Sequence, residues 1–215
     1  MRQRGFRRLG ALVSQVWWSL PRLSHAGDGR AIGVLSIWVW WDHFLEWSWH
    51  PRPLRSDGVF RYRLAHHWGR RLVLSDGTVV DRGDRVVELH FDNHGLMRST
   101  AAHDWNPWSM MDKLDADLGV LASLIAGGRL GPVRALHGVT MFARPGRRLG
   151  FEVRPVRHNW NWSLQRYFLI GLLPIYHRDG WREFDRMRRD RWPAELWMSV
   201  AHLLHRRTLT APAMR

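Results

Sequence analysis

Residues 74–93 read LSDGTVVDRGDRVVELHFDN, and this stretch decides the fold. Turn-forming residues occupy 75–78 (SDGT) and 82–84 (RGD), and valine-rich runs lie beside them. Asp accepts hydrogen bonds from nearby backbone N–H groups, and Gly reaches positive φ without strain. Turns of this chemistry between β-rich runs predict antiparallel strands.

The period-two pattern extends on both sides of these turns. Residues 60–64 (FRYRL) alternate apolar and polar side chains, and residues 70–74 (RRLVL) form a further β-rich run, so residues 59–91 are predicted to form an antiparallel meander. In the last strand, 85–91, alternate residues point to opposite faces. One face carries Val87, Leu89 and Phe91, and the other carries Val86, Glu88 and His90.

Helical spacing replaces the strand pattern at residues 104–128. Asp104 is the candidate N-cap, and glycines at 127–128 are the expected end. The apolar stripe consists of Met111, Leu114, Leu118, Leu121 and Ile125. This spacing predicts one long helix with a core-facing side.

The rest of the chain adds strands and further helices. Strands are predicted at 135–142 and 148–155, joined through 144–146, and helices at 31–50, 162–176, 181–191 and 195–206. These elements predict an α+β fold: a central antiparallel sheet of about five strands, one long helix packed on it, and additional N- and C-terminal helices. The expected divisions are a basic arm and linker at 1–30, one domain at 31–207 and a tail at 208–215.

Composition bounds the chemistry. The chain has 215 residues, of which 45% are hydrophobic and 24% charged, so one domain with a real core is expected. It contains no cysteine, which excludes disulfides, thiolate catalysis and cysteine zinc sites. No run reaches the roughly 18 apolar residues that a membrane span needs.

The net charge of +14 is unevenly placed. Residues 1–30 carry +5, residues 31–143 are neutral, and residues 144–207 carry +8. Twelve of the fifteen tryptophans precede residue 51 or follow residue 159. A neutral body with basic, Trp-rich flanks favours attachment to an anionic surface. The alternatives for the tryptophans are aromatic packing between helices and stacking on single-stranded nucleic acid or on sugar rings.

Residues 4–22 have the pattern of an interfacial helix. Apolar residues fall within one arc and arginines on the other side, as in helices that lie in the headgroup region of a membrane. The candidate membrane-facing residues are Arg4, Phe6, Arg7, Arg8, Leu9, Val13, Trp17 and Leu20. The alternative is a helix that packs on its own domain. The first interpretation predicts a cytoplasmic protein peripheral to the membrane, with an anionic membrane surface as a partner.

The sequence resembles the YkoP-like family over about residues 35–175. The resemblance rests on the stretch 74–93, the helix after it, and HGVTMFARPGRRLGFEV at 137–153. The positions that match are Ser75, Asp76, Gly77, Thr78, Gly83, Asp84, His90, Asn93, Gly138, Thr140, Arg148, Leu149, Gly150, Phe151 and Glu152. It implies a domain without an assigned activity, found alone or beside polysaccharide deacetylases, which makes such a deacetylase a candidate partner. The deacetylase's own Phe-Asp-Asp and metal-binding pattern is missing here.

Polar residues at the end of strand 85–91 form the candidate site. If the Val87 face meets the long helix, Glu88 and His90 project from the other face, with Asn93 at the strand end. Candidate catalytic residues are His90 and Glu152; candidate ligand-binding residues are Glu88, Asn93, Arg148 and Asp84. The functional interpretation is a site for a phosphorylated or glycan substrate. The alternative is a hydrogen-bond network that fixes the sheet.

No metal site is predicted. His90 and His94 are four apart, but a strand running into a turn does not bring such a pair onto one face as a helix would. The cofactor is unassigned. Three functions therefore stay open, in this order: a membrane-peripheral accessory domain of cell-envelope polysaccharide metabolism, an enzyme or ligand-binding domain acting through His90, Asn93, Arg148 and Glu152, and a nucleic-acid-binding protein.

Overall fold

A computed structural model describes residues 50–92, 107–140, 143–156 and 193–210. The strands within these residues are β1 (Arg52–Pro53), β2 (Phe60–His66), β3 (Leu72–Val73), β4 (Val79–Val80), β5 (Arg85–Phe91), β6 (Ala135–Thr140), β7 (Glu152–Pro155) and β8 (Ala194–Ser199). The helices are α1 (Pro107–Ala126), α2 (Ala143–Arg148) and α3 (Val200–Thr210).

Six of the strands form one sheet in the order β1-β2-β5-β6-β8-β7. The predicted α+β fold, with one long helix packed on a sheet, is confirmed. The sheet is mixed, however, because β5 and β6 run parallel while its other neighbours are antiparallel. The 20-residue helix α1 lies between β5 and β6 in the chain, and a crossover of this kind is what a parallel pair requires.

The main core lies between one face of the sheet and helices α1 and α3. Val87 and Leu89 of β5 belong to the same buried cluster as Leu118 of α1 and Leu203 of α3, as the apolar stripe of 104–128 predicts. The helix ends at the predicted glycines: the Gly128 N–H donates to the Ile125 carbonyl over 3.0 Å, and Gly128 has φ +69°. A left-handed residue after the last turn is the usual glycine helix end.

The predicted meander is wrong in its connections. β2 pairs directly with β5, in a register from Phe60↔Phe91 to His66↔Arg85. Among the described strands, β3 and β4 pair only with each other and form a separate hairpin. The hairpin packs on the second face of the sheet, because Leu74 and Val80 cluster with residues of β5, β6 and β8. Alternation within each strand does not encode which strands become neighbours.

Residues 195–206 were predicted as one helix, and this prediction is wrong. Residues Ala194–Ser199 form β8, between β6 and β7, and the helix begins only at Val200. Five of the six β8 residues are buried, and both faces of the strand are covered. The apolar spacing of Leu196, Val200 and Leu203 fits a helix, but pairing on both edges overrides that local preference.

The predicted link between the last strands also differs. Residues 143–148, expected to be partly a turn and partly the start of a strand, form the short helix α2. Gly146 lies against Leu196, where an added Cβ would sit 2.7 Å from a leucine methyl group. The helix therefore packs directly on β8, and the strand that follows begins at Glu152 instead of Arg148.

Several predictions lie outside the described residues. They concern the arm and linker at 1–30 with all its candidate membrane-facing residues, the helices at 31–50, 162–176 and 181–191, Asp104 and Asn93. Within the described residues, no helix has the length and apolar character needed to cross a membrane.

Candidate functional site

A row of side chains crosses the second face of the sheet, the face on which the β3–β4 hairpin packs. The register pairs residues of successive strands directly, and directly paired residues point to the same face. From β2 to β7 the row, called the polar row below, consists of Arg63, Glu88, His137, Trp197 and Glu152. The prediction that Glu88 projects away from α1 is confirmed, since Val87 and Leu89 pack in the α1 core.

Glu88 is held by two basic side chains. Arg63 Nε donates to the Glu88 carboxylate over 2.5 Å, and His90 Nε2 lies 3.7 Å from the same oxygen. Burial would raise the pKa of the Glu88 carboxyl, but His90 and Arg63 more than offset it and lower the pKa to about 2. Glu88 is therefore ionised at neutral pH, and it acts as a counter-charge instead of a proton donor.

The centre of the polar row is aromatic. His137 stacks on Trp197 with ring centroids 4.2 Å apart, and His67 meets the same indole edge-on at 5.4 Å. Trp197 is 3% exposed, and its Nε1 donates to Glu195 over 3.0 Å. Burial lowers the pKa of His137 despite the opposing charges of Glu195 and Glu88, so a neutral ring is stacked on the indole at neutral pH.

Glu152 ends the polar row at the sheet edge. Its carboxylate accepts from the Ser75 backbone N–H and lies 3.1 Å from Arg154 Nη2. Burial would raise the pKa of Glu152, and these contacts lower it overall. Glu152 shares a face with His90, as the catalytic hypothesis requires, but three strand spacings of about 4.8 Å place the two strands about 14 Å apart. The structure does not bring these two candidates together.

The candidate ligand-binding residues are also dispersed. Arg148 ends α2, and its guanidinium lies 5.6 Å from the centre of the Trp108 ring of α1, on the other side of the sheet from Glu88. Asp84 lies in the turn before β5, where its carboxylate accepts from the Asp81 N–H over 2.8 Å. Asn93 lies outside the described residues. Arg148 in α2 and Glu152 in β7 therefore do not lie side by side in one row of the sheet.

The remaining polar residues of the stretch 74–93 mainly form turns. Gly77 and Gly83 have φ of +81° and +93°, which confirms the two predicted turns. Asp76 accepts from the Thr78 N–H over 3.0 Å, and its other oxygen accepts from the Ser199 hydroxyl. Asp76 therefore also ties the hairpin to β8, a contact between residues far apart in sequence that no local pattern indicates.

Sequence reasoning missed a fully buried carboxylate, Asp117 in α1. One of its oxygens accepts from the N–H groups of Val59 and Phe60 over 2.7 and 2.8 Å. The other lies 3.9 Å from Arg55 Nε. A signal was present in the sequence, because position 117 falls three and four residues from leucines of the apolar stripe. A carboxylate at such a position must be satisfied by neighbouring donors.

Metal binding receives no support from the described parts of the chain. Within them, no cluster of three or more His, Asp or Glu residues is arranged to hold an ion.

Comparison with known proteins gives a family. The model of the YkoP domain matches residues 32–207. The uncharacterised protein YkoP of Bacillus subtilis (strain 168) is 29% identical over 102 residues, which cover 46% of this chain and 56% of that relative. No solved structure matches the chain. The family model covers most of the chain and includes both the polar row and the α1 core, and the chain therefore belongs to the YkoP family.

Proposed function

We propose that this protein is a non-catalytic accessory domain that lies on the cytoplasmic face of a membrane and serves cell-envelope polysaccharide metabolism. The observation that carries the proposal is the separation of charge along the chain. Residues 1–30 and 144–207 carry +5 and +8 around a neutral centre, and seven of the fifteen tryptophans lie within these two basic segments. Arginine and tryptophan together suit a headgroup region with anionic lipids.

The non-catalytic part of the proposal is supported by the polar row. A general acid or base needs a pKa near the working pH and a reacting group within hydrogen-bond reach. Glu88 has a pKa of about 2 and is occupied by Arg63, and Glu152 is occupied by Ser75 and Arg154. These contacts support a network that fixes the sheet more than a centre of acid–base catalysis.

The proposed partner is a polysaccharide deacetylase, which the family resemblance implies. An accessory domain held at the membrane would place such an enzyme near its polymer or the precursors of that polymer. Co-purification of the protein with a deacetylase from the same cells, and its loss in a variant that no longer reaches the membrane, would support this assignment.

Vesicle flotation tests the membrane proposal. The full chain is mixed with vesicles of phosphatidylglycerol and phosphatidylcholine, or of phosphatidylcholine alone, at low salt. We expect flotation with the anionic vesicles only, and loss of it at about 1 M salt, where the Debye length falls to about 3 Å. A chain lacking residues 1–30 should float less. Failure of the full chain to float with anionic vesicles would contradict the proposal.

A further inference from the structure

One end of the sheet is basic and exposed. The end of β2 and the turn before β5 are joined there, because the His67 N–H donates to the Asp84 carbonyl over 2.8 Å and the Gly83 N–H donates to the His67 carbonyl over 2.7 Å. The Arg134 N–H reaches the Arg85 carbonyl over 2.9 Å at the same end. Residues 67–71, 81–85 and Arg134, called the basic tip below, contain five arginines and two aspartates.

A tryptophan stands out from the basic tip. Trp68 is 69% exposed, which is unusual for a side chain that contributes so much to burial when it is covered. The guanidinium of Arg82, from the turn before β5, lies 5.8 Å from the centre of its ring. The pair presents an apolar surface beside a fixed positive charge.

The arginines of the basic tip are only partly neutralised. Asp81 lies 3.6 Å from Arg71, and Asp84 lies 3.9 Å from Arg134. Arg70 and Arg82 are exposed, and neither forms an ion pair with a carboxylate of the described residues. The positive charge of the tip therefore faces the solvent.

We infer that the basic tip is a direct contact with anionic lipid, with Trp68 at headgroup depth and Arg70 and Arg82 on lipid phosphates. Indole rings favour the membrane interface, and arginines near an anionic surface each contribute to attraction. The tip consists of exposed turns, which suit a flat surface, whereas strands of nucleic acid and sugars are usually bound in grooves or clefts. This inference rests on the proposed function and adds a second contact beyond residues 1–30.

Charge reversal at matched positions tests the inference in the full chain. The tip variant is Arg82→Glu, and the control is Arg52→Glu, an exposed arginine of β1 outside the basic tip and outside both basic segments, with the same change in net charge. One lost contact of about 1 kcal/mol predicts a partition coefficient on anionic vesicles lower by about fivefold for the tip variant. The control should lose clearly less. Equal losses in both variants would overturn the inference.

A site-specific probe gives a second test that does not depend on affinity. Because the chain has no cysteine, Arg70→Cys and Arg52→Cys each accept a single environment-sensitive fluorophore. On anionic vesicles we expect a blue shift and stronger emission from position 70, and little change from position 52. A probe at position 70 that stays in water while the chain floats would overturn the tip contact and leave the proposed function standing.

The same variants separate the alternatives. If the unmodified chain does not float with anionic vesicles, the proposed function fails, and the inference that rests on it fails as well. If the tip variant floats normally but loses binding to a single-stranded oligonucleotide that the Arg52→Glu control retains, the tip is a nucleic-acid contact and the lipid inference is overturned. Melting curves of both variants are expected to match that of the unmodified chain, because Arg82 and Arg52 are exposed.

Discussion

On the α1 side of the sheet, leucine and valine side chains of β5, α1 and α3 fill one buried cluster, whereas on the hairpin side a chain of charged and aromatic groups crosses from β2 to β7. The first side is stabilised by the removal of apolar surface from water, which depends little on pH. The second depends on ionised carboxylates and on cations placed beside them. The two faces therefore predict different responses to substitution and to pH.

This difference also locates function. The polar row first suggests an active site, but its carboxylates are occupied by Arg63, Arg154 and Ser75, so the face serves mainly the fold. The basic tip, in contrast, presents exposed arginines and an exposed tryptophan to the solvent. A polar cluster on a sheet is therefore weak evidence of catalysis when its polar atoms are already engaged by neighbouring side chains and are not available to a ligand.

The largest effect is expected on the apolar side. Leu118 of α1 is fully buried, and Leu118→Ala should lower the free energy of unfolding by about 4 kcal/mol, through lost burial and a residual cavity. The matched control is Leu209→Ala in α3, where the side chain is 73% exposed and the loss should stay within about 0.5 kcal/mol. Urea denaturation measures both. Equal losses would mean that α1 does not hold the core.

The second prediction concerns Asp117, the buried carboxylate of α1 on the apolar side of the sheet. Asp117→Ala removes the acceptor of two buried N–H groups and should cost about 3 kcal/mol. Asp112→Ala, an exposed position on the same helix, is the control and should cost less than about 0.5 kcal/mol. Denaturation at neutral pH measures the difference. An unchanged free energy of unfolding in Asp117→Ala would contradict the role assigned to this carboxylate in holding the start of β2.

The smallest of these effects belongs to the polar row and is pH-dependent. Glu88→Gln keeps the shape of the side chain but removes its charge, and should cost about 2 kcal/mol at neutral pH. A carboxyl whose pKa is lowered on folding contributes stability that is complete above its ordinary pKa of 4.5 and is lost as the pH falls toward about 2. The difference in the free energy of unfolding between Glu88→Gln and the unmodified chain should therefore disappear as the pH falls over this range.

A gap that stays constant from neutral pH down to about pH 2 would show that charge at position 88 does not stabilise the fold. Asp112→Asn is the control for an exposed carboxylate outside the polar row. Its free energy of unfolding should stay within about 0.5 kcal/mol of that of the unmodified chain, both at neutral pH and at about pH 2.

The sequence predicts what local patterns encode. The alternation of apolar and polar residues predicted which side chains lie on each face of β5, and the helical spacing of apolar residues predicted α1. Turn-forming residues predicted the two turns at Gly77 and Gly83. The pattern did not reveal that β8 is a strand, because its apolar residues continue at helical spacing into α3. Strand order and register join distant residues, so neither the polar row nor the position of Arg148 could be read from the sequence.

The central claim is that the ionised carboxylates of the polar row stabilise the sheet and do not serve as an acid–base site, and a titration of Glu88 tests it most directly. Carbon-13 NMR of the glutamate carboxyl groups, with the Glu88 signal assigned by its absence in Glu88→Gln, reports the pKa of this group. The account predicts a pKa of about 2. A pKa near or above its ordinary value of 4.5 would contradict the account and return the row to the catalytic interpretation.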